Sequence, residues 1–168
     1  MSSKKIVFVG LMQEHKAIIY KISRTYCDDK NLREDLAQEI VFNLWESFDS
    51  FKPDFKFSTW MYRIALNVAI SFYRKGSKQP DHVPIDEDLI LADDVHANNE
   101  ETEMNIRLLE KFIGELDEID KSIMLLYLDD KSYREIAGIT GLSETNVATK
   151  IGRIKIKLKS NFATIQKN

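Results

Sequence analysis

SYREIAGITGLSETNVATKIGRIKIKL, residues 132–158, decides how the rest of this chain is read. Ser132 followed three residues on by Glu135 is a capping-box pattern that opens a short helix. The spacing Ala137, Gly141, Val147 then supplies what a tight two-helix corner needs: a small residue at the crossing, a glycine for the turn and a β-branched anchor beyond, with Leu142 as the plug. Past the corner, at 100° per residue, Val147, Ile151, Ile154 and Leu158 fall within about 60° of one another, so that side, with Ile136, faces its own domain. Opposite them lie Thr145, Thr149 and Gly152, and Asn146, Lys150, Arg153 and Lys157 run along one flank. Short polar groups reach base edges in a major groove and long basic ones hold phosphates on either side, so the pattern fits a helix-turn-helix on duplex DNA. An ordinary helical hairpin with a solvated basic face has the same pattern. Gly152 costs about 1 kcal/mol against alanine in mid-helix, and either admits a close backbone approach or carries no role.

The remainder of the chain bears on whether such a helix belongs in a DNA-binding protein. Net charge over the 168 residues is −3, the wrong sign for a nucleic-acid partner. Charge acts locally, however, and residues 76–103 hold nine acids against one base, Lys78, a net −8 that leaves the rest at +5. That stretch also contains Pro80 and Pro84 and lacks a sustained apolar period, so it reads as an acidic linker between two helical blocks, residues 1–75 and 104–168. One cysteine, Cys27, permits no internal disulfide, and with three scattered histidines assembles no usual zinc set, which fits a reducing cytoplasm. The apolar run Ile6–Met12 is far short of the roughly 18 residues a membrane span needs; it reads as an extended lead-in packed on the first helix, without an export signal.

Apolar periodicity predicts helices over about 11–27, 31–48 and 58–75 in the first block, with Asn31 and Glu34 as a cap pair and Ser58 just ahead of the third. The second block reads as helices over 104–116, 117–128, the short helix after Ser132 and a last one from Ser143 toward Phe162. No strand pattern occurs, so the fold class is all-α, two small helical domains. In the second helix Leu36, Ala37, Ile40, Val41, Leu44, Trp45 and Phe48 form a broad arc expected to be buried. Asp35, Gln38, Glu39, Phe42 and Glu46 lie on the other side; an acidic face with an exposed phenylalanine suits a basic protein surface with an apolar socket. A solvated acidic face with Phe42 tucked under the loop is the other reading. The loop Asp49–Phe57 is broken by Pro53 but carries three phenylalanines. The third helix contains no acid up to Lys75, with Trp60, Met61, Ile64, Val68 and Phe72 on one face, Tyr62, Leu66, Ala69 and Tyr73 on the other, and Arg63, Asn67 and Arg74 at the border. One apolar face must be core, with Trp60 on the more strongly apolar side, and the other meets a partner. Aromatic planes beside arginines suit single-stranded DNA.

Taken together, Asp35-Leu36-Ala37-Gln38-Glu39-Ile40 with Leu44-Trp45, then Phe57 through Asn67, then the helical corner, resemble a bacterial RNA polymerase sigma factor of the extracytoplasmic-function group. The resemblance spans about residues 11–158 and implies the following. Residues 1–75 would be sigma region 2, docking on the polymerase clamp helices through Asp35, Gln38, Glu39, Phe42 and Glu46. Lys56, Phe57, Ser58, Thr59, Trp60, Tyr62, Arg63, Asn67 and Arg74 would melt and hold the minus-ten element. Residues 104–168 would be region 4, reading the minus-thirty-five element as duplex through Arg134, Thr145, Asn146, Thr149, Lys150, Arg153 and Lys157, with its flanks on the polymerase flap. The linker would thread through polymerase, and an anti-sigma protein would be a further partner. Ala148 and Gly152 depart from the basic and bulky residues of many relatives, and no middle domain has room between the blocks.

The resemblance implies a bacterial cytoplasmic protein with no cofactor, no metal and no small-molecule substrate. No Ser/His/Asp array, metal set or phosphate-binding glycine loop argues for catalysis; His15, His82 and His96 read as surface residues. Two other functions share these residues: an independent DNA-binding regulator whose first block dimerises or senses, and a helical adaptor that binds a protein without starting transcription. A footprint without polymerase marks the first, and polymerase binding without a transcript marks the second.

Overall fold

A computed structural model describes residues 2–76 and 99–167. Among the described residues there is no strand. The elements are α1 (Ser3–Tyr26), α2 (Lys30–Ser47), a 3-10 turn (Phe48–Ser50), α3 (Phe57–Gly76), α4 (Glu100–Gly114), α5 (Glu118–Leu128), α6 (Tyr133–Thr140) and α7 (Glu144–Gln166). Contacts divide the chain into two units, Met1–His82 and Val83–Asn168. The all-α expectation holds. Most of the acidic stretch, residues 77–98, lies outside the described residues, as do His82 and His96.

In the first unit α1, α2 and α3 each pack on the other two. Ile22, Leu36, Ile40, Leu44, Met61 and Ala65 are fully buried where they meet. Each large aliphatic side chain so buried contributes about 1.5–3 kcal/mol, which lets short helices persist that would be marginal alone. Three expectations need correcting here. Residues 6–12 are not extended but helical: Ser2 caps α1 by accepting from Lys5 N–H, and Phe8 is held edge-on by Trp45 at 5.1 Å and Phe48 at 5.2 Å. A β-branched run takes the backbone its tertiary neighbours reward, and here these are helical neighbours. α2 starts earlier than Asn31, because Asp29 is the cap, accepting from Leu32 N–H at 3.0 Å. Third, α1 is kinked at His15, whose ring is half-buried, donates from Nδ1 to the Leu11 carbonyl at 3.1 Å and packs 5.0 Å from Phe57, so His15 is not a plain surface residue.

In the second unit α5, α6 and α7 pack on one another, and α4 lies on α5 and α7. Glu100, Glu101 and Glu103, counted with the linker by charge, form the first turn of α4, where acids favour the helix dipole; Asn99 caps that turn. The capping box at Ser132 is complete in both directions, at 3.1 Å and 2.9 Å. Gly141 ends α6 with φ +79°, a left-handed conformation in which glycine escapes the Cβ penalty. Ser143 then caps α7. The stripe Val147, Ile151, Ile154 and Leu158 is buried as the periodicity predicts, against Ile136 and α5's Ile123 and Leu126, while Phe112 and Phe162 meet edge-on at 5.1 Å.

Candidate functional site

Three surfaces carry the residues singled out by the sequence. On α2, Asp35, Gln38, Glu39, Phe42 and Glu46 are all exposed on one side, and Phe42 leaves 62% of its surface to solvent. The alternative in which Phe42 tucks under the loop is excluded. The buried arc opposite is narrower than the wheel suggested: Leu36, Ile40 and Leu44 are buried, Ala37, Trp45 and Phe48 half-buried, and Val41 is exposed. The reason is α1, which leaves an apolar hollow of about 560 Å³ beside α2, walled by Phe8, Val9, Ala37, Val41, Phe42 and Trp45. The acidic strip therefore borders a socket that the sequence pattern assigned to the core. Lys4 lies beside Trp45, its Nζ 2.9 Å from Asp49 Oδ2 and 4.6 Å from the centre of the Trp45 ring.

The second surface is the start of α3 and the loop before it. Phe48, Phe51, Phe57 and Trp60 form a continuous group of rings, with Phe51–Phe57 at 5.2 Å and Phe57–Trp60 at 5.3 Å. Phe57 is buried and Trp60 half-buried in that group, so both rings brace the loop more than they face solvent. The division of α3 into two apolar faces is resolved along the seam between them: Met61, Tyr62, Ala65, Leu66 and Ala69 are buried, and Ile64, Val68 and Phe72 half-buried. Tyr62, expected to meet DNA, is 1% exposed and belongs to the core, because at 100° per residue it lies within about 60° of the buried Ala65, Leu66 and Ala69. Lys56, Arg63, Asn67 and Arg74 are exposed, and Ser58 and Thr59 half-buried. Phe55, to which the sequence pattern assigns no role, is 66% exposed between Lys52 and Lys56. The signal available was Pro53 and Asp54 before it, a turn that turns the intervening aromatic outward.

On the third surface, Arg134, Thr145, Asn146, Thr149, Arg153 and Lys157 are all exposed, and Thr149 Oγ1 donates to the Thr145 carbonyl at 3.0 Å. Lys150 is different. It turns toward α5, its Nζ 3.3 Å from Asp120 Oδ1. Ile156, not singled out by sequence, stands on the same outward side as Thr145 and Thr149 at 71% exposure. A Cβ added to Gly152 would meet nothing within 4 Å, so within the protein no close approach accounts for this glycine. Gly152→Ala is thus expected to stabilise the unit by about 0.5–1 kcal/mol, read as a higher thermal midpoint. A lowered midpoint would contradict the open environment.

The matches to known proteins follow this division. Residues 11–79 match the Sigma-70 region 2 family and residues 106–158 match the Sigma-70, region 4 family. The chain is 30% identical to the ECF RNA polymerase sigma factor SigW of Bacillus subtilis, over 92% of this chain and 88% of that one. It is 31% identical to the ECF RNA polymerase sigma-E factor of Escherichia coli, over 72% and 69%. Among solved structures, CnrH in complex with the cytosolic domain of CnrY superposes with a TM-score of 0.68 at 22% identity, covering 95% of this chain and 90% of that one. The sigma factor RpoE in complex with the anti-sigma factor NepR from Bartonella quintana gives 0.69 at 16%, over 92% and 97%; both likenesses are of fold. With both sigma regions present in order and near-full-length similarity to SigW, the chain belongs to the extracytoplasmic-function group of RNA polymerase sigma factors, which bind core polymerase and direct promoter recognition and transcription initiation.

Proposed function

We propose a division of that work among the three surfaces. The α2 strip of Asp35, Gln38, Glu39, Phe42 and Glu46 seats on the polymerase clamp helices, with Phe42 as the apolar anchor. Aromatic anchors at the centre of an interface carry most of its energy, while flanking charges steer approach. The observation that carries this reading is the exposed Phe42 on the rim of an apolar hollow, bordered by acids. The exposed Lys56, Arg63, Asn67 and Arg74, with the half-buried Ser58, Thr59 and Trp60, follow the melted minus-ten strand. Phe57 and Tyr62 hold that surface from inside. Arg134, Thr145, Asn146, Thr149, Arg153 and Lys157 meet the minus-thirty-five duplex. The helices through α3 and those from α4 onward are then the two functional domains, and the acidic stretch between them the connection that threads through polymerase.

Polymerase supplies the chemistry, and this chain acts as a non-catalytic specificity subunit of the cytoplasm; no helix among the described residues is long and apolar enough to cross a membrane. An anti-sigma protein is a further partner: RpoE was captured with the anti-sigma factor NepR, and CnrH with the cytosolic domain of CnrY. Run-off transcription with core polymerase and a promoter library tests the whole reading. Promoter-dependent transcripts are expected; failure of the chain to co-purify with core would sink it. Within the minus-ten surface, Phe55→Ala is expected to slow open-complex formation on the selected promoter, since one lost stacked base costs about 1–3 kcal/mol, or roughly 5- to 150-fold. Permanganate reactivity of the melted strand reads this directly, and unaltered melting would remove Phe55 from the DNA surface.

A further inference from the structure

On α7 the buried stripe Val147, Ile151, Ile154 and Leu158 is flanked by two lysines that both turn to α5. At 100° per residue, Lys150 lies about 70° to one side of the stripe's centre and Lys155 about 70° to the other. Lys150 Nζ is 3.3 Å from Asp120 Oδ1, and the two side chains are only 30% and 21% exposed. Lys155 Nζ sits 4.4 Å from the centre of the Tyr127 ring. The Tyr127 side chain holds this ammonium's pKa above its usual value. Asp120 and Tyr127 are seven residues apart, two turns on one side of α5.

We infer that Lys150 is a positioning residue of the reading helix and not a phosphate contact: paired with Asp120, and balanced by Lys155 on Tyr127, it fixes the rotation of α7 and thereby which side chains meet the duplex. The inference rests on the reading of α7 as the duplex-contacting helix. An apolar stripe sets the rotation of a helix about its axis only coarsely, because hydrophobic burial is non-directional. Polar ties on both sides of the stripe oppose a roll in either direction. Of the basic residues along the flank, Arg153 and Lys157 stay exposed and available to phosphates, whereas Lys150 would have to leave a half-buried carboxylate behind.

The test uses holoenzyme assembled from the full chain and core polymerase, on a promoter selected by run-off transcription from a randomised library. Affinity is measured across a salt series for the unaltered chain, Lys150→Gln, Asp120→Asn and the double variant, each checked for folding by thermal melting. Both single variants are expected to weaken promoter binding on the order of 3- to 10-fold, with the double no weaker than Asp120→Asn alone. The slope of log K against log salt is expected to be unchanged by Lys150→Gln, whereas a lost phosphate contact would flatten it by about 0.9. The exchange Asp120→Lys with Lys150→Asp is expected to recover most of the affinity. A flattened slope, with the same loss whether or not Asp120 is present, would overturn the inference. Unaltered holoenzyme that transcribes but makes no minus-thirty-five contact would instead overturn the reading of α7 on which it rests.

Discussion

Phe42→Ala combined with Asp35→Lys and Glu39→Lys is expected to lower affinity for core polymerase by about two orders of magnitude while the first unit stays folded. All three side chains are exposed on α2, so none supports the core formed by Leu36, Ile40 and Leu44. Removal of a central aromatic anchor costs about 2 kcal/mol or more at an interface, and reversal of flanking charges adds like-charge repulsion against a basic partner. A total of about 3 kcal/mol corresponds to a little more than a hundredfold in Kd. Competition against a labelled sigma factor for core, run beside a thermal melt, measures both quantities. Unchanged affinity in a well-folded triple variant would remove this face from the interface. Phe42→Ala alone separates the anchor from the charges, and its loss should be insensitive to salt, unlike that of the two reversals.

The second large effect concerns the helical corner. Ile136 is fully buried where α6 crosses α7, and Ile136→Ala is expected to cost about 2–5 kcal/mol, the usual range for truncation of a well-packed core side chain. Whole domains are stable by only about 5–15 kcal/mol, so a loss of this size leaves the second unit partly unfolded near growth temperature. Transcription from promoters that depend on the minus-thirty-five element should then fall steeply with temperature. Binding to core through α2 should persist, because the first unit has a core of its own around Ile22, Ile40 and Met61. Chemical denaturation gives the stability change, and co-purification with core gives the control. A cost under about 1 kcal/mol would mean that the corner repacks around the missing atoms.

Much of the second unit could be read from residue types because its signals are local. A capping box, a glycine bound for positive φ and an apolar stripe at helical spacing each depend on neighbours within a few residues, and Ser132, Gly141 and Val147–Leu158 take the places they indicate. The first unit was harder to read at its edges. Ile6–Met12 carries no strong local preference, so packing of Phe8 between Trp45 and Phe48 decided its backbone. Val41 and Tyr62 exchanged expected environments for the same reason: an apolar wheel position can face the core, a groove or a partner, and periodicity does not distinguish them.

The amino-acid sequence by itself determined the helical class, the two blocks, the helix-turn-helix and the sigma-factor family, because each rests on short-range spacing or on motifs in order. Tertiary structure alone decided which basic and aromatic side chains are available. Lys150 and Arg153 are three residues apart on one helix and each carries one positive charge, yet one is tied to Asp120 and the other stands in solvent. That difference arises from an acid thirty residues earlier in the chain, brought within 3.3 Å only when α5 packs on α7.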